Sequence, residues 1–383
     1  MSTSSGFPLL KLPLLALETV VNLMSTYTVL ELAFHSKMFK SRLSIVKLKV
    51  ECFQWMITNY QIGVIMGSNV GRCYFEIGTQ SEFGKIMERK EEEEEYEEEE
   101  GIQKVTINLN GTSVSLVKCN KFFDHKWILI PEKLKDSNQD INFKWQLDVL
   151  EHLTNFFMSF VKCSKFELNY RLETNLLSKD FFVWQYLRRN PIDLVISSDM
   201  DSLVMTPDDM KFLFENLKFG YLDLNVLVSE PNFKYQGSLE AKYLTIQEDN
   251  SWIDLRSLNC PKVVLSMTME DLEQIGQVLK NWIKGSSMEK LELLRIYHEE
   301  KINPDEHLKG LTIKHEMTKF SHADISERIG RIFDDSVYRD IQRKSDGCWG
   351  TLCIDFWRLV FIVWTPEKLE KCCQETKSKL GLE

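Results

Sequence analysis

The sequence predicts an α+β chain. A small helical module comes first, then a short antiparallel β region, then a larger α/β domain of strand-and-helix repeats. Three observations predict this. Leucines recur at helical spacing near the start. Residues 48–130 hold short Val-, Ile- and aromatic-rich runs broken by Gly and Asn. Beyond residue 160, short L-x-L strands recur between helix signals.

Composition sets the frame. The chain has 383 residues, 43% hydrophobic and 27% charged, as a folded domain requires. Its formal charge is −10, and the nine glutamates Glu91–Glu95 and Glu97–Glu100 account for almost all of it. The remainder is nearly neutral, which argues against nucleic acid as a partner. Nine cysteines occur at irregular spacing with no C-x-x-C, so reduced thiols are expected, and with them a cytosolic or nuclear location.

The first element is the stretch FPLLKLPLLALETVVNLM, residues 7–24. It lacks a basic leader, and Glu18 interrupts it, which argues against a secretory signal. Lys11, Pro13 and Glu18 argue against a membrane span, and no membrane association is expected. From Pro13 the pattern is helical, with Leu14, Leu17, Val20, Val21 and Met24 on one stripe. A second stripe runs through Val29, Leu30, Leu32, Ala33, Phe34, Met38 and Leu43. So few residues cannot bury so much leucine alone. They either cap the domain behind them or dock on another protein. Residues 6–48 form this module.

Residues 49–143 are expected to be β-rich. KVTINLNGTSVSLVK alternates around Asn110-Gly111, a tight hairpin turn. The acidic run interrupts the region, and like-charge repulsion predicts a solvated loop over 88–100.

KWQLDVLEHLTNFFMSF then sets Trp145, Val149, Leu150, Leu153, Phe156, Phe157 and Phe160 on one helix face. Behind it, one inward residue from each strand gives Phe166, Leu194, Leu222, Leu244, Val264 and Leu291. The intervals of 28, 28, 22, 20 and 27 fit a leucine-rich-repeat-like domain over 144–300. Helix starts are marked at Ser178, at Thr206-Pro207 with Asp209, and at Thr268 with Asp271; Gly285 marks a helix end. No glycine-rich phosphate turn occurs, which disfavours a nucleotide-binding sheet. Residues 301–383 read as a closing segment with a β hairpin and a polar tail.

Catalytic motifs are absent. The looser cluster of His298, His307, His315 and His322 lacks the helical spacing of metal ligands. The expectation is no enzymatic activity, no metal and no cofactor.

Two stretches carry a family resemblance. FPLLKLPLLALETVVNLM…VLELAFHSK resembles an F-box, and is similar to the variant with which many nematode F-box proteins open. Leu12-Pro13 stands where the family's first helix begins. The resemblance implies docking on a Skp-type adaptor, and through it a cullin, by Phe7, Pro8, Leu9, Leu12, Pro13, Leu17, Val20 and Leu30. Thr28 departs from the acidic residue usual at the second helix start. The second half resembles the type 2 F-box-associated region. Trp252, Trp282-Ile283, Gly285-Ser286 and Leu291-Glu292 fall at matching places, while the usual N-x-F-L-K is here Gln277-Val278-Leu279-Lys280. YRDIQRKSDGCWGTLCIDF resembles the family's closing strand pair, with Gly350 where alanine is usual, which would loosen that hairpin. The two matches together imply a substrate-recognition subunit of a Skp/cullin/F-box ubiquitin ligase with an unidentified target protein. The alternative is a repeat-domain binding module without ligase coupling. Polar strand positions Asn169, Asp223, Asn225 and Gln247 are candidates for the target-facing surface.

Overall fold

The computed structural model describes residues 9–59, 61–68, 71–78, 104–109, 112–119, 125–131, 139–172, 179–188, 191–197, 203–247, 251–267, 269–298, 320–329, 337–355 and 357–381. The chain divides into two units, 1–172 with 181–193, and 173–180 with 194–383. The acidic run 88–100, Asn110-Gly111, and the helix-start residues Ser178 and Thr268 lie outside the described residues.

In the first unit, a 3-10 turn at Leu9–Lys11 leads into helices α1 (Leu14–Leu23), α2 (Thr26–His35) and α3 (Lys37–Val46). Local chemistry sets the breaks between them. Ser25 Oγ accepts the Thr28 N–H at 3.1 Å, and Ser36 Oγ accepts the Phe39 N–H at 3.1 Å. Each serine thus satisfies one of the unpaired donors at a helix start. Thr28 completes the first cap with its own hydroxyl, 2.7 Å from Ser25 Oγ.

The β region differs from expectation. Strands β1 (Leu48–Thr58), β2 (Ile62–Ser68) and β3 (Gly71–Ile77) form an antiparallel meander. Strands β4 (Lys104–Leu109), β5 (Thr112–Cys119) and β6 (His125–Pro131) also pair antiparallel, with Leu109 opposite Thr112 as a two-residue hairpin requires. The two groups join through parallel pairing of β3 with β6, and β1 pairs in parallel with β7 (Val161–Arg171). The sheet is therefore mixed and larger than a short antiparallel region. The cause is helical: α3 delivers the chain to Leu48 and α4 (Gln139–Met158) delivers it to Val161, and these residues lie opposite each other in register. Two helix-to-strand entries from the same end make a parallel pair.

The core of this unit lies where α2 and α4 meet the sheet. Phe34 stands 5.7 Å from both Trp127 and Phe156, and Phe75 stands 4.8 Å from Phe157. Trp55 is fully buried and donates its indole N–H to Thr154 Oγ1 at 3.0 Å, so its one polar atom is satisfied.

In the second unit, strands β10 (Phe219–Val228), β11 (Ala241–Gln247), β12 (Lys262–Ser266) and β13 (Leu293–Tyr297) are parallel. Strands β8 (Ile192–Ser197) and β9 (Leu203–Met205) both border β10. The inward residues in register are Leu222, Leu244, Val263 and Leu294, not Val264 and Leu291. Helix α5 (Trp184–Leu187) belongs to the first unit. Helix α6 (Pro207–Asn216) lies between β9 and β10, and α7 (Met269–Lys284) between β12 and β13. By contrast, β10 runs to β11 without a helix, and only a 3-10 turn, Leu255–Ser257, is described between β11 and β12, so the strand-and-helix repeat is incomplete. At α6, Thr206 Oγ1 accepts the Asp209 N–H at 3.2 Å, as its motif predicts. Gly285 ends α7 with φ 74°, the left-handed conformation that glycine adopts without strain.

The chain then turns antiparallel: β13 pairs with β16 (Arg358–Trp364), β16 with β15 (Trp349–Ile354), and β15 with β14 (Val337–Gln342). Strand β16 is buried on both faces. Phe361 meets Trp282 of α7 at 4.8 Å, while Val360, Ile362 and Trp364 join a second cluster with Phe320, Ile325, Cys353 and Cys372. Helices α8 (His322–Ile329), α9 (Pro366–Glu370) and α10 (Gln374–Leu380) flank that cluster. The segment expected as a polar tail thus folds back, with Thr376 fully buried. Gly350 does not loosen the hairpin. A Cβ there would overlap the Phe361 ring and crowd Trp282 at 3.2 Å, so glycine is what lets the rings close.

Candidate functional site

Helices α1–α3 have two faces of different character. Leu17, Val29, Leu30 and Leu43 are completely buried, and Phe39 is 2% exposed. Outside this core, Leu14, Leu15, Leu23, Met38 and Ile45 remain in water; Leu15 is 78% and Leu23 76% exposed. Among the described residues ten large apolar side chains are exposed, and half of them fall within these thirty-odd residues. Leu15 and Leu23 stand two turns apart on α1; Met38 and Ile45 share a face of α3, seven residues apart. The two helices are neighbours. Exposed apolar side chains concentrated in so short a stretch of chain make it the first candidate for an interaction site, because a free chain gains nothing from keeping them wet.

The residues singled out from sequence distribute unevenly over this module. Leu9, Leu12 and Val20 are half-buried and Pro13 is exposed. Leu17 and Leu30 lie wholly in the core, where they hold the helices together rather than face outward. Phe7 and Pro8 lie outside the described residues. Sequence reasoning missed Leu15, Leu23 and Ile45. Their signal was present: each is a bulky apolar residue off the buried stripe of its helix.

The outer face of β10–β13 is the second candidate. Register places Tyr221 beside Tyr243, Asp223 beside Thr245, and Asn225 beside Gln247. Gln247 Nε2 donates to Asp223 Oδ1 at 3.1 Å, so three of the four polar positions named from sequence come together. Asn169 belongs to the first unit, where its Oδ1 accepts from Arg171 Nε at 3.0 Å. A cleft of about 420 Å³ also opens in the second unit, between Lys234, Gln236, Asp254, Arg256, Gln274 and Gln277, over Ile253, Leu255 and Val278. Arg256 and Asp254 are locked to each other there, at 2.7 Å.

The described cysteines carry no disulfide. Burial pushes the Cys73 thiol up to about 12 and the Cys260 thiol up to about 11, so neither is a nucleophile near neutral pH. His307 and His315 lie outside the described residues; the His298 imidazole is buried. No group of three His, Cys, Asp or Glu among the described residues is placed to hold a metal. No helix among them is long and apolar enough to cross a membrane.

Residues 232–296 match the family model described as F-box associated. The match covers β11, β12, α7 and most of β13, together with every residue lining the cleft. No curated protein and no solved structure matches the chain.

Proposed function

We propose that the chain is a substrate-recognition subunit of a Skp/cullin/F-box type ubiquitin ligase, working inside the cell and doing no chemistry itself. Helices α1–α3 dock on a Skp-type adaptor, which joins them to a cullin. The leucine-rich-repeat-like strands of the second unit hold a target protein. Ubiquitin transfer is then accelerated by proximity, since holding the target raises the effective concentration of its lysines near the charged enzyme.

The observation that carries this reading is the exposed apolar surface of α1 and α3 in a chain that also contains an F-box-associated segment. Leu14, Leu15, Leu23, Met38 and Ile45, with Leu9, Leu12, Pro13 and Val20 beside them, supply the apolar contact area. Leu17 and Leu30 act from inside by fixing the angle at which the helices present it. Buried apolar anchors of this size typically contribute about 2 kcal/mol each to a protein interface, roughly thirtyfold in affinity.

The reading is tested by mixing the full chain with purified Skp-type adaptor and cullin and following them by size-exclusion chromatography. Co-elution of all three supports it. Elution of the chain alone, beside an intact adaptor–cullin complex, would rule it out.

A further inference from the structure

The outer face of β10 and β11 carries a side-chain cluster that the helical docking surface does not use. The rings of Tyr221 and Tyr243 lie 5.2 Å apart, tilted by 38°. Asp223 follows two residues on along the same face. Its carboxylate accepts from Tyr221 Oη at 3.1 Å and from Gln247 Nε2 at 3.1 Å. Both donors are neutral, and no described cation forms an ion pair with it. Burial, and after it the Asp223 charge, raises the Tyr221 hydroxyl above its ordinary value, so Tyr221 stays a donor. Lys262 is next in the row beyond Tyr243, yet among the described residues it makes neither an ion pair nor a ring contact.

A half-buried carboxylate whose donors are all neutral has no cation opposite it, and attraction to one is stronger there than in open water because the local dielectric is lower. Two aromatic faces beside it add a second attraction for a cation. The planar guanidinium answers both at once, because it stacks on rings while its N–H fork meets a carboxylate. A lysine ammonium, being compact and strongly hydrated, gains less from the rings.

We propose that this face receives an arginine side chain of the target protein, stacked on the Tyr221–Tyr243 pair and donating to Asp223. The inference rests on the target-recruiting reading above and names the chemistry of the segment recruited. Thr245 and Gln247 border the site and supply adaptable polar contacts for the neighbouring peptide backbone.

The test titrates acetyl-arginine-amide against the full chain, with tyrosine ring signals observed by NMR. Acetyl-citrulline-amide, equal in shape but neutral, is the control. The expected result is a saturable shift with the arginine probe, weakened roughly fivefold with citrulline and in Asp223→Asn. Tyr243→Leu should remove the stacked contribution by a similar factor. Near-UV circular dichroism checks that Asp223→Asn keeps its fold, and Tyr221→Leu, which leaves the carboxylate in place and removes the other ring, serves as a second variant that should weaken binding by a similar factor. Equal response to both probes, no saturation, or unchanged binding by Asp223→Asn would overturn the proposal. Adaptor binding is measured on the same preparations. Loss of arginine binding with the adaptor retained overturns this inference alone, and the reverse outcome overturns only the ligase reading.

Discussion

Cys373 and Asp324 stand 49 residues apart in the chain, yet the Cys373 N–H donates to the Asp324 carboxylate at 3.0 Å. Cys373 is the N-cap position of α10, and its own side chain caps nothing there. Asp324 sits in the first turn of α8, where Ser321 Oγ donates to it at 2.8 Å and accepts its N–H at 3.1 Å. Thr376 contributes its hydroxyl at 2.5 Å. One buried carboxylate therefore closes two helix starts and ties α10 to α8.

That clamp makes a pH prediction. Burial alone would push the Asp324 carboxyl up, but hydrogen bonds from Thr376, Cys373 and Ser321 outweigh it and hold the group below the usual carboxylate range. A carboxyl lowered in the folded state contributes stability above its unfolded value of about 3.9, and that contribution is lost as pH falls through the lower folded value. Asp324→Asn should cost about 1.5–3 kcal/mol at pH 7. The gap to the unaltered chain should narrow as pH falls below about 4. Urea unfolding at pH 7 and pH 3 measures it; a gap that widens in acid would contradict the clamp.

Gly350→Ala tests the packing of β15 against β16. The added Cβ overlaps the Phe361 ring, which itself packs edge-on against Trp282. Overpacking of a closed core costs about 1–3 kcal/mol. A fall in the midpoint of thermal unfolding is expected, and an unchanged or higher midpoint would mean that Phe361 has room to move.

Asn225→Val should stabilise the chain. The Asn225 Oδ1 is buried with no hydrogen-bond partner among the described residues. An unsatisfied buried acceptor costs about 1–3 kcal/mol, and valine suits a strand better than asparagine. Denaturant unfolding should show a higher midpoint at the same slope; a lower midpoint would show that the amide has a partner in solution.

Much of this was legible in the sequence because its signals are local. The hydroxyl of Thr206 before Pro207, the glycine at 285 and the helical spacing of Leu17, Val29 and Leu30 act within one or two turns. Pairing partners were not legible. Alternation along β1 says which face Phe53 and Trp55 occupy, but nothing in it names β7 as the neighbour. The register of β12 slipped for a related reason. KVVLS offers adjacent apolar residues with Val263 and Leu265 fully buried and Val264 nearly so, and only its neighbours decide which one aligns with Leu244. The apolar surface of the first helices was hidden by its own abundance. In a run as leucine-rich as residues 9–23, periodicity cannot separate Leu17, which is buried, from Leu14, which lies on the same stripe and is exposed.

The most direct measurement is adaptor binding by the full chain carrying Leu15→Asp and Leu23→Asp, both exposed and outside the core. Purified Skp-type adaptor is immobilised, and retention is compared with the unaltered chain and with Leu12→Ala/Pro13→Ala. The account predicts retention of the unaltered chain and a loss of at least thirtyfold in the aspartate variant, with unfolding unchanged. Equal retention of both chains, or none of either while folded, would contradict docking through this surface.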